Sequence, residues 1–366
     1  MKILYLCGQI LIMEKKSKAL EITKKIVKFI LFFGVGILFV YLSIKDLNAE
    51  QWNELKSSAT VAMQNGGWVF LCLAFVIGLT DNVIRALRNK QLLTPLGYNV
   101  RSSSVFNSVM VCYLANLAFP RLGEVLRCTY LQYYDRVPFE KTLGTVITER
   151  AVDFICFLIV LISAILLNTR VLSELIVDNQ GTSLGESLSS TFNNWIHNYK
   201  FFIIVGVIIM LCVVAYLTRN RWGKIGFFAK IKKFFEGIWQ GLISIKDLEK
   251  PWLFIVYTLL IWILYFAEVL ACVQAFPFLN GLPLMAIFTV FAMGNIGFLI
   301  GPGGLGAYPL LVAATLVLYN INYTQGLATG WVGWGVQTLM VVSVGTCCMI
   351  AASLTKRKMN TQEQDK

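Results

Sequence analysis

Arginine and acidic side chains are concentrated in residues 116–153, between strongly apolar runs of the chain. Arg121, Glu124 and Arg127 recur every three residues after Pro120, so a helix beginning after this proline would hold them near one face. Arginine can hold a phosphate through two parallel hydrogen bonds, and a helix N-terminus favours an anion. The pattern therefore predicts a phosphate-binding site. The alternative is a buried ion-pair network in which Glu124 lies between two arginines, and the two roles are compatible.

A second group of charges has a spacing that permits pairing along one helix, and it comprises Glu149, Arg150 and Asp153. We interpret these residues, with Glu268, as an ion network that braces the fold or gates a pathway. Asp81 and Glu268 also lie in apolar runs, where a charge costs about 2.5–3.5 kcal/mol at a membrane-helix centre. Each is a candidate proton-linked site, and the alternative for each is a paired or interfacial carboxylate.

A glycine-rich run, GPGGLGA from Gly301 to Ala307, interrupts the later apolar sequence. Glycine has no Cβ, so this run would let the backbone approach a ligand closely. It does not follow a predicted strand and lacks the lysine of a nucleotide-binding loop, which excludes that class of site. The predicted ligand-binding set is Asn116, Pro120, Arg121, Gly123, Glu124, Arg127, Pro302, Gly303, Gly304 and Gly306.

Two of these motifs resemble a known family. Pro120-Arg121, Gly123-Glu124 and Arg127, followed by Glu149-Arg150 and Asp153, are similar to the signature of the flippase-like membrane domain of lysylphosphatidylglycerol synthases. The run after Gly301 is similar to the late PGG-x-G element of that family. The resemblance extends from about residue 67 to 352 and indicates the domain, not the lipid. Because the chain ends at Lys366, we expect a stand-alone member without the soluble synthase domain.

The composition is that of a membrane protein. Of 366 residues, 57% are hydrophobic and 14% are charged, against roughly 25% charged in globular proteins. The net charge of +12 comes from basic residues in loops beside apolar runs, which orient a membrane protein, so we expect no nucleic-acid partner. Nine cysteines lie mostly in apolar runs and His197 is the single histidine, so we expect no metal, no cofactor and no enzymatic site.

The fold class predicted is an all-α polytopic membrane protein with about six full spans and two re-entrant or broken helical hairpins. The predicted spans are 29–44, 68–84, 151–167, 201–217, 252–276 and 326–352, and the hairpins are 103–134 and 284–319. Each half of the chain would then contain a span, a hairpin and a span. This order suggests inverted-topology repeats, whose broken helices meet near the membrane midplane. The alternative is two unrelated kinks between ordinary spans.

Lysine and arginine counts predict the orientation. The basic N-terminal segment 1–28, the segments 85–101 and 219–250 and the tail 353–366 are assigned to the cytoplasm, and 29–352 to the membrane domain. The expected location is the inner (plasma) membrane of a bacterium, with both termini cytoplasmic.

Three classes of function remain open from the sequence. The first is a lipid translocase that binds an anionic phospholipid or a polyprenyl-phosphate lipid. The second is the membrane-embedded part of a lipid-modifying or glycosyl-transfer enzyme. The third is a scaffold, in which the basic segment 219–250 could dock a separate enzyme partner.

Overall fold

The computed structural model describes residues 34–45, 47–64, 66–119, 122–167 and 248–364, with side chains to residue 354 except at position 118. Within these ranges the chain is all-α and contains no strand. The helices are α1 Gly34–Ile44, α2 Ala49–Val61, α3 Gly67–Leu93, α4 Ser102–Ala118, α5 Leu122–Asp135, α6 Phe139–Leu167, α7 Pro251–Gln274, α8 Leu284–Ile300, α9 Ala307–Val317 and α10 Tyr323–Gln364.

Four of these helices, α3, α6, α7 and α10, are long and apolar enough to cross a membrane. Their outer faces are apolar; on α7, large side chains that are more than half exposed recur at helical spacing, at Trp252, Ile255, Leu259 and Ile263. Such a stripe is suited to lipid contact. These helices confirm four of the six predicted spans. The span 29–44 is described only from residue 34, and the span 201–217 lies outside the described residues.

Two helices extend beyond the spans predicted for them. Helix α3 continues to Leu93, so Arg85 and Arg88, which were assigned to a cytoplasmic basic segment, are buried within the bundle at 4% and 0% exposure. Helix α6 begins at Phe139, twelve residues before the predicted span. At the other end of the chain, α10 continues to Gln364.

The predicted first hairpin is formed by α4 and α5. The end of α3, the start of α4, the end of α5 and the chain before α6 share one apolar cluster, which includes Leu93, Val100, Leu131 and Val137. Ser104 near the start of α4 is also hydrogen-bonded to Asp135 at the end of α5. The hairpin therefore returns to the end of the bundle from which it starts, as a re-entrant segment must.

The second hairpin is formed by α8 and α9, joined by a 3-10 turn at Pro302–Gly304. Thr289 on α8 and Tyr319 just after α9 are hydrogen-bonded at 3.1 Å, so this hairpin also starts and ends on one side. Its tip contacts the tip of the first hairpin, because a Cβ at Gly303 would lie 2.9 Å from Leu117 Cδ2.

The two halves have the same architecture in opposite directions. The helices of the first unit, α3 to α6, start 184, 182, 185 and 184 residues before their counterparts α7 to α10. Gly67 at the start of α3 packs against Ala275 after α7, and Gln91 at the other end donates to the carbonyl of Lys250, so α3 and α7 are antiparallel. Helix α4 of the first unit packs against α10 of the second unit, and their counterparts α8 and α6 pack against each other in the same way. This packing is that of an inverted repeat.

Candidate functional site: the arginine–carboxylate network of the first hairpin

Among the described residues, the charged side chains singled out in the sequence take part in four ion pairs, and every pair joins two different helices. Arg127 on α5 pairs with Glu149 on α6, and the Nη1–Oε2 distance is 2.9 Å. Both side chains are almost completely buried, at 4% and 3% exposure. The expected pairing of Glu124 with Arg127 along α5 is not formed, because successive turns of α5 present these two side chains to different residues of α6.

Glu124 pairs instead with Arg150, and its Oε1 lies 3.2 Å from Arg150 Nη2. The amide of Asn116 on α4 lies 3.4 Å from the same carboxylate oxygen. This pair is more open than the Arg127–Glu149 pair, since 46% of the Arg150 side chain is exposed. The first hairpin thus contacts α6 through a buried ion pair, Arg127–Glu149, and a partly exposed ion pair, Glu124–Arg150.

Asp153 does not pair with Arg150 along α6, as the spacing had suggested. Its carboxylate accepts hydrogen bonds from Arg85 at 2.9 Å and from Arg88 at 2.8 and 3.0 Å, and both arginines lie on α3. Thr258 on α7 is a further acceptor for Arg88, at 3.2 Å. Sequence reasoning missed both arginines. The signal that could have found them is their helical spacing from Asp81, which places all three on one face of α3.

Aromatic rings enclose the two buried arginines. The Arg85 guanidinium lies 5.8 Å from the ring centre of Tyr113 and 5.5 Å from that of Tyr265, and it also donates a hydrogen bond to the Tyr265 hydroxyl. Arg88 lies 5.6 Å from the ring of Phe254. These distances allow cation–π attraction, which is strongest for a desolvated cation. The rings therefore help to keep both charges inside the bundle.

The network leaves several buried polar atoms without a partner among the described residues. They are Arg85 Nε, Arg88 Nε, Arg127 Nε and Nη2, Glu124 Oε2 and Glu149 Oε1. A buried donor that lacks a partner is costly, so such atoms call for a bound water or ligand. The arginine donors beside the hairpin are the atoms that an anion would satisfy.

The structure describes some of the predicted ligand-binding residues of the first hairpin and not others. Pro120 and Arg121 lie outside the described residues. Asn116 Oδ1 accepts the backbone N–H of Gly123 at 2.9 Å, so it occupies one of the free donors at the start of α5. A Cβ at Gly123 would lie 2.0 Å from the carbonyl oxygen of Cys112, so this glycine allows α4 and α5 to pack closely.

The glycines of the second hairpin are in contact with protein atoms. Gly303, Gly304 and Gly306 have φ angles of 57°, 77° and 71°, a region that other residues rarely adopt. A Cβ at Gly306 would lie 2.4 Å from the backbone nitrogen of Val40 on α1. Trp334 on α10 donates to the carbonyl of Gly303 at 2.8 Å. Together with the buried Pro302, this turn positions the second tip against α1, α4 and α10.

Glu268 lies apart from the ion pairs. It is 8% exposed on α7 and forms no ion pair with any residue that the structure describes. Asp81 on α3 is 2% exposed, and its Oδ1 has no hydrogen-bond partner within the described part of the chain. Of the predicted ion network, therefore, Glu149, Arg150 and Asp153 meet the first hairpin or α3, whereas Glu268 belongs to a different region.

Comparison with known proteins agrees with this architecture. Residues 26–345 match the lysylphosphatidylglycerol synthase TM region. The chain belongs to this family. It is a multi-pass membrane protein, and the resemblance inferred from its motifs is confirmed. A UPF0104 membrane protein of Methanocaldococcus jannaschii is 29% identical over 92 residues, which cover 24% of this chain and 27% of that relative. The chain thus covers only about a quarter of the length of that relative. No solved structure matches the chain significantly.

Proposed function

We propose that this family member is a lipid translocase that binds the anionic head group of a phospholipid or polyprenyl-phosphate lipid beside its first hairpin. The observation that carries the proposal is the accessible Arg150–Glu124 pair next to the buried network. Arg150 is in the interior half of a long membrane helix, yet nearly half of its side chain is exposed. A charge at such a position needs an opposite charge, water or an anion beside it, and Glu124 leaves a large part of the Arg150 side chain uncovered.

Arg150 has the donor chemistry that a phosphate requires. Its guanidinium is bound to Glu124 through one nitrogen, at 3.2 Å, which leaves further donors in its planar fork. The neighbouring Arg127 has two buried nitrogens without a partner among the described residues. An arriving phosphate could therefore displace Glu124 from Arg150 and gain a second cation close by.

The inverted repeat supports transport as the purpose of this binding. Two antiparallel units whose broken hairpins meet tip to tip can expose one site to either side by rocking of one unit against the other. The Gly303–Leu117 contact is the point at which the two tips meet. Motion at this contact would move α4 and α5, which carry Asn116, Glu124 and Arg127.

The test is reconstitution of Arg150→Gln, Glu124→Gln and the double variant into vesicles of phosphatidylglycerol and phosphatidylcholine. Binding and transbilayer movement of fluorescent phosphatidylglycerol are measured at equal amounts of folded protein. We expect Arg150→Gln and the double variant to lose both activities, while Glu124→Gln retains binding because it releases the arginine. Lys141→Gln, which removes an exposed cation from the first turn of the same helix, is the matched control.

Restored binding in the double variant would contradict the proposal, since it would show that Arg150 only balances Glu124. Equal movement of phosphatidylglycerol and phosphatidylcholine by the unmodified protein would also contradict it, since the site would then not select an anion.

A further inference from the structure

A second polar region lies in the other repeat, between α7, α8, α9 and α10. It is a cavity of about 60 Å³ whose polar lining is contributed by Glu268, Asn295, Tyr308 and Gln337. Each water requires roughly 10–15 Å³, so the cavity has room for a few waters. It is too small for the head group of a phospholipid. A cavity of this volume suits water or a small ion.

Glu268 is the ionisable group of this cavity. The titratable groups that face it are Asp81 on α3, Tyr265 and Cys272 on α7, and Tyr308 on α9. Helices α8 and α10 contribute only the neutral amides of Asn295 and Gln337. None of these neighbours is a cation.

A carboxylate with no cation beside it is strongly disfavoured at membrane depth. Helix α3 also packs directly onto this group, because a Cβ at Gly78 would lie 3.3 Å from Glu268 Oε1. Addition of a proton converts the carboxylate to a neutral acid and removes the cost. The cavity waters and the two amides can then accept or donate hydrogen bonds to the acid.

Tyr265 connects this cavity to the arginine network. It lines the cavity one turn before Glu268 on α7. Its hydroxyl accepts a hydrogen bond from Arg85, which in turn binds Asp153 at 2.9 Å. The same hydroxyl lies beside the carboxyl of Asp81. Asp81 is therefore two contacts away from the ion pairs of the first repeat, and Glu268 reaches the same path through its interaction with Asp81.

The repeat relationship supports the same connection. The spacing of 184 residues between α6 and α10 relates Asp153 to Gln337 and Glu149 to Gly333, and both counterparts line the cavity. The cavity thus occupies the position in the second repeat that the ion network occupies in the first. The first repeat has ion pairs at this position, whereas the described residues of the second repeat place one acid there without a cation.

We propose that the Glu268 cavity is a proton-binding site, at which the Glu268 carboxylate takes up and releases one proton and Tyr265 transmits the change to Arg85. Its role in driving lipid movement rests on the proposed function. The proton binding itself rests on the cavity and on the absence of a cation from the described residues that face it.

The direct test is infrared difference spectroscopy of the reconstituted protein during a pH titration, with Glu268→Gln, Glu268→Asp and the surface control Glu50→Gln. We expect the carbonyl band of a protonated carboxylic acid to disappear on deprotonation in the unmodified protein and in Glu50→Gln. This band should be absent in Glu268→Gln and shifted in Glu268→Asp. The aspartate variant keeps a carboxylic acid at this position, so it tests the proposal even if the glutamine variant does not fold. A band unaltered in both Glu268 variants overturns the proposal, as does a Glu268-dependent response to Na⁺ without proton uptake.

The second test separates this proposal from the proposed function. Lipid movement is measured as a function of pH in the unmodified protein and in Tyr265→Phe, which lacks the connecting hydroxyl. We expect a pH-dependent rate in the first and a loss of the pH dependence in the second. Glu268-dependent proton binding without any lipid movement would overturn the translocase and leave the proton site. Lipid movement that is independent of pH in the unmodified protein would overturn the coupling.

Discussion

Two ion pairs join neighbouring residues of α5 and α6, from successive turns of α5 to the consecutive residues Glu149 and Arg150, and they differ mainly in exposure. The Arg127–Glu149 pair is 4% and 3% exposed, whereas the Arg150–Glu124 pair is 46% and 23% exposed. The perturbation is removal of one carboxylate from each pair, by Glu149→Gln and by Glu124→Gln. Each variant loses one charge from the same interface, so each is the matched control for the other.

The expected magnitudes follow from exposure. Glu149→Gln leaves the Arg127 guanidinium buried without its counterion, which costs about 3–5 kcal/mol in the free energy of unfolding. This is roughly two to three and a half orders of magnitude in the unfolding equilibrium, at tenfold per 1.4 kcal/mol. Glu124→Gln leaves a solvated arginine, and loss of a pair this exposed costs about 0–1 kcal/mol. The double variant Arg127→Met/Glu149→Met should recover most of the larger loss, since no buried charge is left unpaired.

The assay is equilibrium unfolding of the purified variants in mixed detergent micelles, followed by intrinsic tryptophan fluorescence. Similar small losses for the two single variants would refute the reasoning, because water would then have to reach Arg127. A double variant as unstable as Glu149→Gln would also refute it, since the cost would then come from lost packing at the α5–α6 contact.

Three further predictions concern other parts of the fold. Asp153→Asn removes the counterion of two buried arginines and should lower the free energy of unfolding by at least about 3–5 kcal/mol in the same assay. Gly306→Ala forces a side chain into a left-handed conformation against the backbone of α1 and should lower the thermal midpoint, at a cost of about 1–3 kcal/mol. Gly335→Ala, where a Cβ meets nothing within 4 Å, should not destabilise the protein, and equal effects at the two glycines would contradict the packing. Leu96→Cys and Glu140→Cys, before and after the first hairpin, should react with an impermeant thiol reagent from the same side in a background without native cysteines; labelling from opposite sides would show that the hairpin crosses the membrane.

Much of the architecture can be predicted from composition and from breaks in hydropathy. Long apolar runs must form helices in a membrane, because backbone polar groups have no other partner there. Apolar arms too short to span, each followed by a proline or glycine break, indicated both hairpins, and the structure has them at 102–135 and 284–317. Helix ends were less predictable where charges lie inside the bundle. Arg85 was assigned to a cytoplasmic segment, since local sequence does not show that its partner is Asp153, which is 68 residues away.

The chain by itself determined its class, its family and the order of its spans and hairpins, because these depend on local hydropathy and on motifs. Only the tertiary structure decided which charge pairs with which. Local spacing allowed Glu124 to bind Arg127 and allowed Asp153 to bind Arg150, yet each acid binds an arginine of another helix. Neighbouring charges on one helix compete poorly with a partner fixed directly opposite by helix packing. The packing of α5 and α3 against α6 therefore sets the pairs, and the antiparallel contact of α3 with α7 places Glu268 against Gly78 of α3.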